Sequence, residues 1–101
     1  MAVNGSVIHT DGRLYSSNQP DQPVYREPKV SPDIVDTMTS TYSWFRCWQL
    51  GATPGDRTRW YLTRGDETDK DGWMPEDKLD APMEFKADPE AFGLLPCAAS
   101  Q

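Results

Sequence analysis

Apolar and polar residues alternate through the middle of this chain with the two-residue period of half-buried strands, and Gly, Pro, Asn and Asp interrupt the runs every few residues. The pattern is clearest over 41–50, where Tyr42, Trp44, Arg46 and Trp48 point one way and Ser43, Phe45, Cys47 and Gln49 the other. Phe45 and Cys47 are the expected core side of that strand. Two further strands are predicted over 60–63 and 72–75, the latter stopped by Pro75. Upstream, 24–28 reads as an extended segment ended by Pro28, 29–32 as a loop, and 34–38 as a strand rich in β-branched residues that turns back at 39–41. Residues 51–57, with Pro54 and Gly55, form a turn, and 65–71 a charged hairpin loop. Single helical turns are expected over 76–79 and 88–91, because Pro is welcome at a helix start and acids favour its first turn. The predicted class is all-β, with a flexible N-terminal arm or one loosely attached strand over 1–21, one small domain over 22–82 and a C-terminal tail over 83–101.

A chain of 101 residues supports one core, and its 37% hydrophobic content is low. Four Trp, four Tyr and three Phe compensate, since each ring buries roughly 150–250 Å². Nine Pro and seven Gly oppose long helices. The net charge of −6 is unevenly spread: ten acidic residues fall within 66–90 against Lys70, Lys78 and Lys86. Most of these acids are expected to be a solvated face, and where they meet a partner they favour a cationic one. A nucleic-acid partner is not expected, because that affinity comes chiefly from clustered Lys and Arg. No stretch is long and apolar enough to insert in a membrane.

The chemistry-bearing residues are few. Cys47 and Cys97 allow only one pairing. Either they form a disulfide that pins the tail to the sheet, or they are two free thiols. A bridge closing about fifty residues stabilises a small fold by roughly 4 kcal/mol in the loop-entropy model. Residues 1–12 carry no basic start followed by an apolar run, which leaves a cytoplasmic setting or a secreted or cell-envelope one with the signal removed, and the two cysteines favour the second. His9 is the only histidine and lies far from Cys47, so neither a Cys–His dyad nor a metal site is expected. The paired carboxylates sit in segments read as solvated, which suits acid–base catalysis poorly. No nucleotide-binding glycine motif or calcium loop is present, no cofactor is expected, and the chain is read as a non-enzyme.

Taken in order, Val24-Tyr25 with Pro28, Ile34-Val35 with Met38, Trp44-Phe45-Arg46-Cys47, Trp60-Tyr61 and Gly72-Trp73-Met74-Pro75 with Leu79 resemble a bacterial SH3 (SH3b) domain. The likeness covers about 24–79 and is strongest to small secreted actinobacterial members, in which a W-F-x-C strand, a W-Y-x-T-x-G-D stretch and a late Cys recur. The chain departs from the family pattern in Met74, in the long acidic loop 65–71 and in lacking an early N-V-R. The resemblance implies an SH3-like barrel of about five short strands that binds a peptide, a protein or a peptidoglycan component, as a monomer. If Phe45, Trp60 and Trp73 fill such a barrel, Tyr25, Tyr42, Trp44, Trp48 and Tyr61 are the candidates to line an aromatic groove, which flanking acids would suit to a Pro-rich or basic peptide. The alternative is a small acidic inhibitor or accessory subunit that docks on a basic protein surface.

Overall fold

In the computed structural model, the described residues are 2–3, 6–8, 13–51, 55, 57–80 and 83–97. They form nine strands in two antiparallel sheets: β1 (Ala2–Val3), β2 (Ser6–Ile8), β3 (Leu14–Ser17), β4 (Gln22–Tyr25), β5 (Ile34–Met38), β6 (Tyr42–Phe45), β7 (Cys47–Leu50), β8 (Arg59–Arg64) and β9 (Asp71–Pro75). One sheet has the order β1-β2-β3-β6 and the other β5-β4-β9-β8-β7. A 3-10 turn, Glu76–Lys78, follows β9. The short helix α1 (Met83–Ala87) and a second 3-10 turn, Pro89–Phe92, complete the chain. The protein is thus mostly β, as the alternation predicts.

The predicted strand over 41–50 is divided at Arg46, and the division joins the two sheets. β6 pairs with β3, Trp44 opposite Tyr15 and Phe45 opposite Leu14, whereas β7 pairs with β8, Cys47 opposite Leu62. Across the corner the Arg46 N–H donates to the Leu62 carbonyl at 2.8 Å, and the Thr63 hydroxyl donates to the Trp44 carbonyl at 2.6 Å. Alternation survives the bend, so Ser43, Phe45 and Cys47 are all buried, as expected.

At the other end of the sheets, among the described residues, an isolated bridge, Asn18 to Leu79, links β3 to the segment after β9, flanked by Asp80 N–H donating to the Ser17 carbonyl and Gln19 N–H donating to the Lys78 carbonyl. The hydrogen-bonded ladder therefore does not close into a continuous barrel, which corrects the expectation of a barrel of about five short strands.

Leu14, Val24, Met38, Phe45, Tyr61, Met74, Leu79, Phe85 and Leu94 make one hydrophobic core between the sheets. Burying each large side chain is worth about 1.5–3 kcal/mol. Two expectations change here. Leu14–Ser17, within the segment read as an arm, is a strand with Leu14 and Ser16 buried. Its inward face offers one apolar side chain and one hydroxyl, too little to produce a visible hydrophobic period.

Trp73 is only half-buried, and Met74 fills the core in its place. Gly72 faces inward, because a Cβ there would meet Val24 Cγ1 at 2.5 Å and the Tyr25 carbonyl oxygen at 2.7 Å. The two-residue period then sends Trp73 outward and Met74 in. The glycine thus sets the register of the last strand.

The C-terminal segment is packed. Cys47 and Cys97 are disulfide-bonded, Leu94 and Phe85 are buried, and the Trp48 indole N–H donates to the Leu94 carbonyl at 2.9 Å. Arg59 reaches the Lys86 and Ala87 carbonyls, groups that the end of a short helix leaves without intrahelical donors.

Candidate functional site

A cavity of about 540 Å³ is lined by Tyr25, Val30, Thr58, Trp60, Pro75, Asp77 and Lys78, within the range of small-ligand sites. Three elements build it: the end of β4, the start of β8 and the end of β9 with its 3-10 turn. Trp60 forms the floor, being 2% exposed, while Val30, 76% exposed, stands at the rim. The Tyr25 ring meets Trp60 edge-on with centroids 5.7 Å apart and an interplanar angle of 82°, a favourable quadrupolar arrangement that fixes both rings. The Trp60 indole nitrogen is buried and finds no hydrogen-bond acceptor among the described residues. Leaving such a donor unpaired costs about 1–3 kcal/mol. At the rim, Asp77 contributes a carboxylate and Lys78 an ammonium.

The five expected groove residues do not converge. Tyr25 lines this cavity. Tyr42 and Trp44 lie on the outer face of the β3–β6 pair, where Tyr42 opposes Ser17 and Trp44 opposes Tyr15. Trp48 lies beneath the C-terminal segment, with the Arg59 guanidinium 4.9 Å from its ring centroid. Tyr61 belongs to the core: it is fully buried, packs against Phe45 with centroids 6.1 Å apart, and donates its hydroxyl to Glu76 at 2.9 Å. Burial and the neighbouring Glu76 carboxylate push its pKa upward. Trp60 and Tyr61 are adjacent on β8 and face opposite sides, and the floor of the cavity is the former. Val30, Thr58, Pro75, Asp77 and Lys78, which the sequence does not mark as ligand residues, complete the lining. The loop Val30 and the acid two residues past Pro75 carry no sequence signal of their own.

Away from the cavity, three carboxylates are committed to structure. Asp36, on β5, is 4% exposed and accepts hydrogen bonds from the N–H groups of Thr37, Glu67, Thr68 and Lys70 and from the Thr68 hydroxyl. Burial works to raise its pKa, but these donors outweigh it and hold the carboxyl well below its usual range. Asp66 is lowered in the same way, burial being outweighed by bonds from Ser40 and Thr39. Asp71 is lowered likewise, by hydrogen bonds and charge from Arg64 and Arg46. All three stay ionised at neutral pH, so they supply no proton for acid catalysis. His9 lies outside the described residues. Among the described residues, no group of three His, Cys, Asp or Glu side chains is placed to hold a metal ion, and no helix is long and apolar enough to cross a membrane.

Comparison with protein-family models, with curated proteins and with solved structures finds no match.

Proposed function

We propose that this chain is a non-catalytic, SH3-like binding module that acts outside the cytoplasm, secreted or in the cell envelope, and holds an extended peptide in the Tyr25–Trp60–Pro75 cavity. The cavity carries the proposal: an aromatic floor at Tyr25 and Trp60, an apolar rim at Val30 and a carboxylate at Asp77. Rings at this spacing pack against proline or aliphatic side chains, and Asp77 attracts an Arg or Lys of the same peptide. Two antiparallel sheets sharing a bent strand, with β9 ending in Pro75 and a 3-10 turn, support the SH3-like reading. The Cys47–Cys97 disulfide supports an oxidising location.

The test is calorimetric titration with a proline-rich peptide carrying one arginine, alongside a soluble peptidoglycan fragment. Asp77 is exposed, so Asp77→Lys is expected to leave the fold intact and weaken peptide binding about tenfold, a change of 1.4 kcal/mol. Unchanged binding in Asp77→Lys and Tyr25→Ala alike removes the cavity from the interface. Retention of both variants by a basic protein would instead favour the acidic accessory-subunit reading, which the acid-rich 66–90 segment supports.

A further inference from the structure

The 3-10 turn beside the cavity is built of three consecutive charged residues, Glu76, Asp77 and Lys78, and they do different things. With three residues per turn, successive side chains leave the backbone in different directions. Glu76 is committed inward: it accepts the Tyr61 hydroxyl at 2.9 Å and lies 3.9 Å from Arg59 Nη1. Asp77, which is exposed, and Lys78, which is half-buried, line the cavity instead. Their side chains make no hydrogen bond or ion pair among the described residues, and they do not pair with each other. The backbone beneath them is fixed. The Gln19 N–H donates to the Lys78 carbonyl at 2.8 Å, the Leu79 N–H donates to the Glu76 carbonyl at 3.1 Å, and Leu79 is buried. One negative and one positive group thus stand side by side on a firm base next to the Tyr25–Trp60 floor.

Among the described residues that line the cavity, these two alone are charged. A peptide drawn to Asp77 by a basic side chain meets Lys78 as a neighbouring like charge, which opposes the attraction. A carboxylate on the same ligand removes that conflict and adds a second attraction. Resting on the peptide-binding reading above, we infer that the cavity recognises the C-terminal end of its peptide: Lys78 takes the terminal carboxylate, Asp77 the basic side chain that precedes it, and the aromatic floor the last side chain. A volume of about 540 Å³ is that of a small-ligand site, which suits a chain end better than a long segment passing through. The terminal carboxylate is attached directly to the last residue's backbone, so it reaches Lys78 without the rotamer freedom that a Glu side chain would lose on binding. In a protein of net charge −6 most of the surface repels an anion, and the ammonium at the cavity therefore discriminates between a free and a blocked chain end.

The probes are proline-rich peptides of one sequence ending in Arg-Pro, one with a free C-terminal acid and one with a C-terminal amide, titrated by calorimetry. The wild type is expected to bind the free acid about tenfold more tightly than the amide. Lys78→Gln, which keeps the backbone bond from Gln19, is expected to bind both peptides as weakly as the wild type binds the amide, and Lys78→Arg to restore the preference. An amidated peptide ending in Arg-Glu presents a side-chain carboxylate instead and is expected to bind no better than the first amide. Three results would overturn the inference while leaving the cavity a peptide site: equal affinity of the wild type for acid and amide, a preference that survives in Lys78→Gln, or an Arg-Glu amide that binds as tightly as the free acid. Binding of none of the peptides would instead overturn the peptide-binding reading itself, and this inference with it.

Discussion

The strongest internal anchor available to mutation is Asp36. Its carboxylate joins β5 to the loop that follows β8, receiving donors 31 to 34 residues further along the chain at 2.8–3.2 Å. Asp36→Asn keeps one carbonyl acceptor but turns an amide NH₂ toward N–H groups and removes the charge. Hydrogen bonds to a charged group contribute about 1.5–3 kcal/mol each, and a buried donor left without an acceptor costs about 1–3 kcal/mol. Residues 66–70 are exposed, so water takes over part of this set, leaving a net loss of about 2–3 kcal/mol for the asparagine variant and more for alanine. For a domain of this size that is a fall of roughly 10–20 °C in Tm. Urea unfolding followed by tryptophan fluorescence measures it directly.

The pH dependence follows from the same carboxyl. Its pKa is lowered in the folded state, so its contribution is fully present above the unfolded value of about 3.9 and is lost as pH falls toward the folded value. The gap in stability between wild type and Asp36→Asn should therefore narrow as pH falls below about 4. A variant within about 0.5 kcal/mol of wild type at pH 7, the usual span of a neutral surface change, would refute the idea that this carboxylate organises the loop.

Gly65 tests the same joint sterically: a Cβ there would overlap the Asp36 carboxyl, with Cγ, Cβ and Oδ2 all in the way, and Gly65→Ala is expected to cost at least about 2 kcal/mol in urea unfolding. Reduction of Cys47–Cys97, separated by 50 residues, should lower stability by about 4 kcal/mol in the loop-entropy model, and a thermal melt with and without reductant measures it. The Tyr61 hydroxyl, its pKa raised by burial and Glu76, should resist ionisation in the folded protein. The unfolded chain then releases a proton above pH about 10 that the native state keeps, so stability should fall as pH rises beyond that value. Ultraviolet absorbance should show the Tyr61 tyrosinate only as the fold is lost.

The sheet elements were largely legible because their information is local. Ile34–Met38 matches the expected 34–38, and Asp71–Pro75 begins one residue before the expected 72–75. With two cysteines there is one pairing to find. What could not be read depends on contacts distant in sequence. Arg46 looks like any outward strand position, yet the chain changes sheets there. Trp73 has the larger surface, but Gly72 must face β4, and that decides which neighbour enters the core. Asp36 reads as a polar residue in a strand, while its partners follow thirty residues later. The candidate site was half legible for the same reason. The sequence points to Tyr25 as a ligand residue but to Trp60 as core alone, whereas Trp60 is both buried and the floor of the cavity. Val30 and Asp77 join it only through the close pairing of β4, β8 and β9.

Cavity binding is tested most directly by a ¹H–¹⁵N titration that follows the four tryptophan indole N–H resonances as a proline-rich peptide carrying arginine is added. Binding in the cavity predicts that the Trp60 indole resonance shifts as a ligand packs over its ring, with Tyr25 and Asp77 amides shifting alongside and Trp48, bonded to Leu94, unmoved. A saturable titration that leaves Trp60 and its neighbours unshifted would contradict the cavity as the binding site.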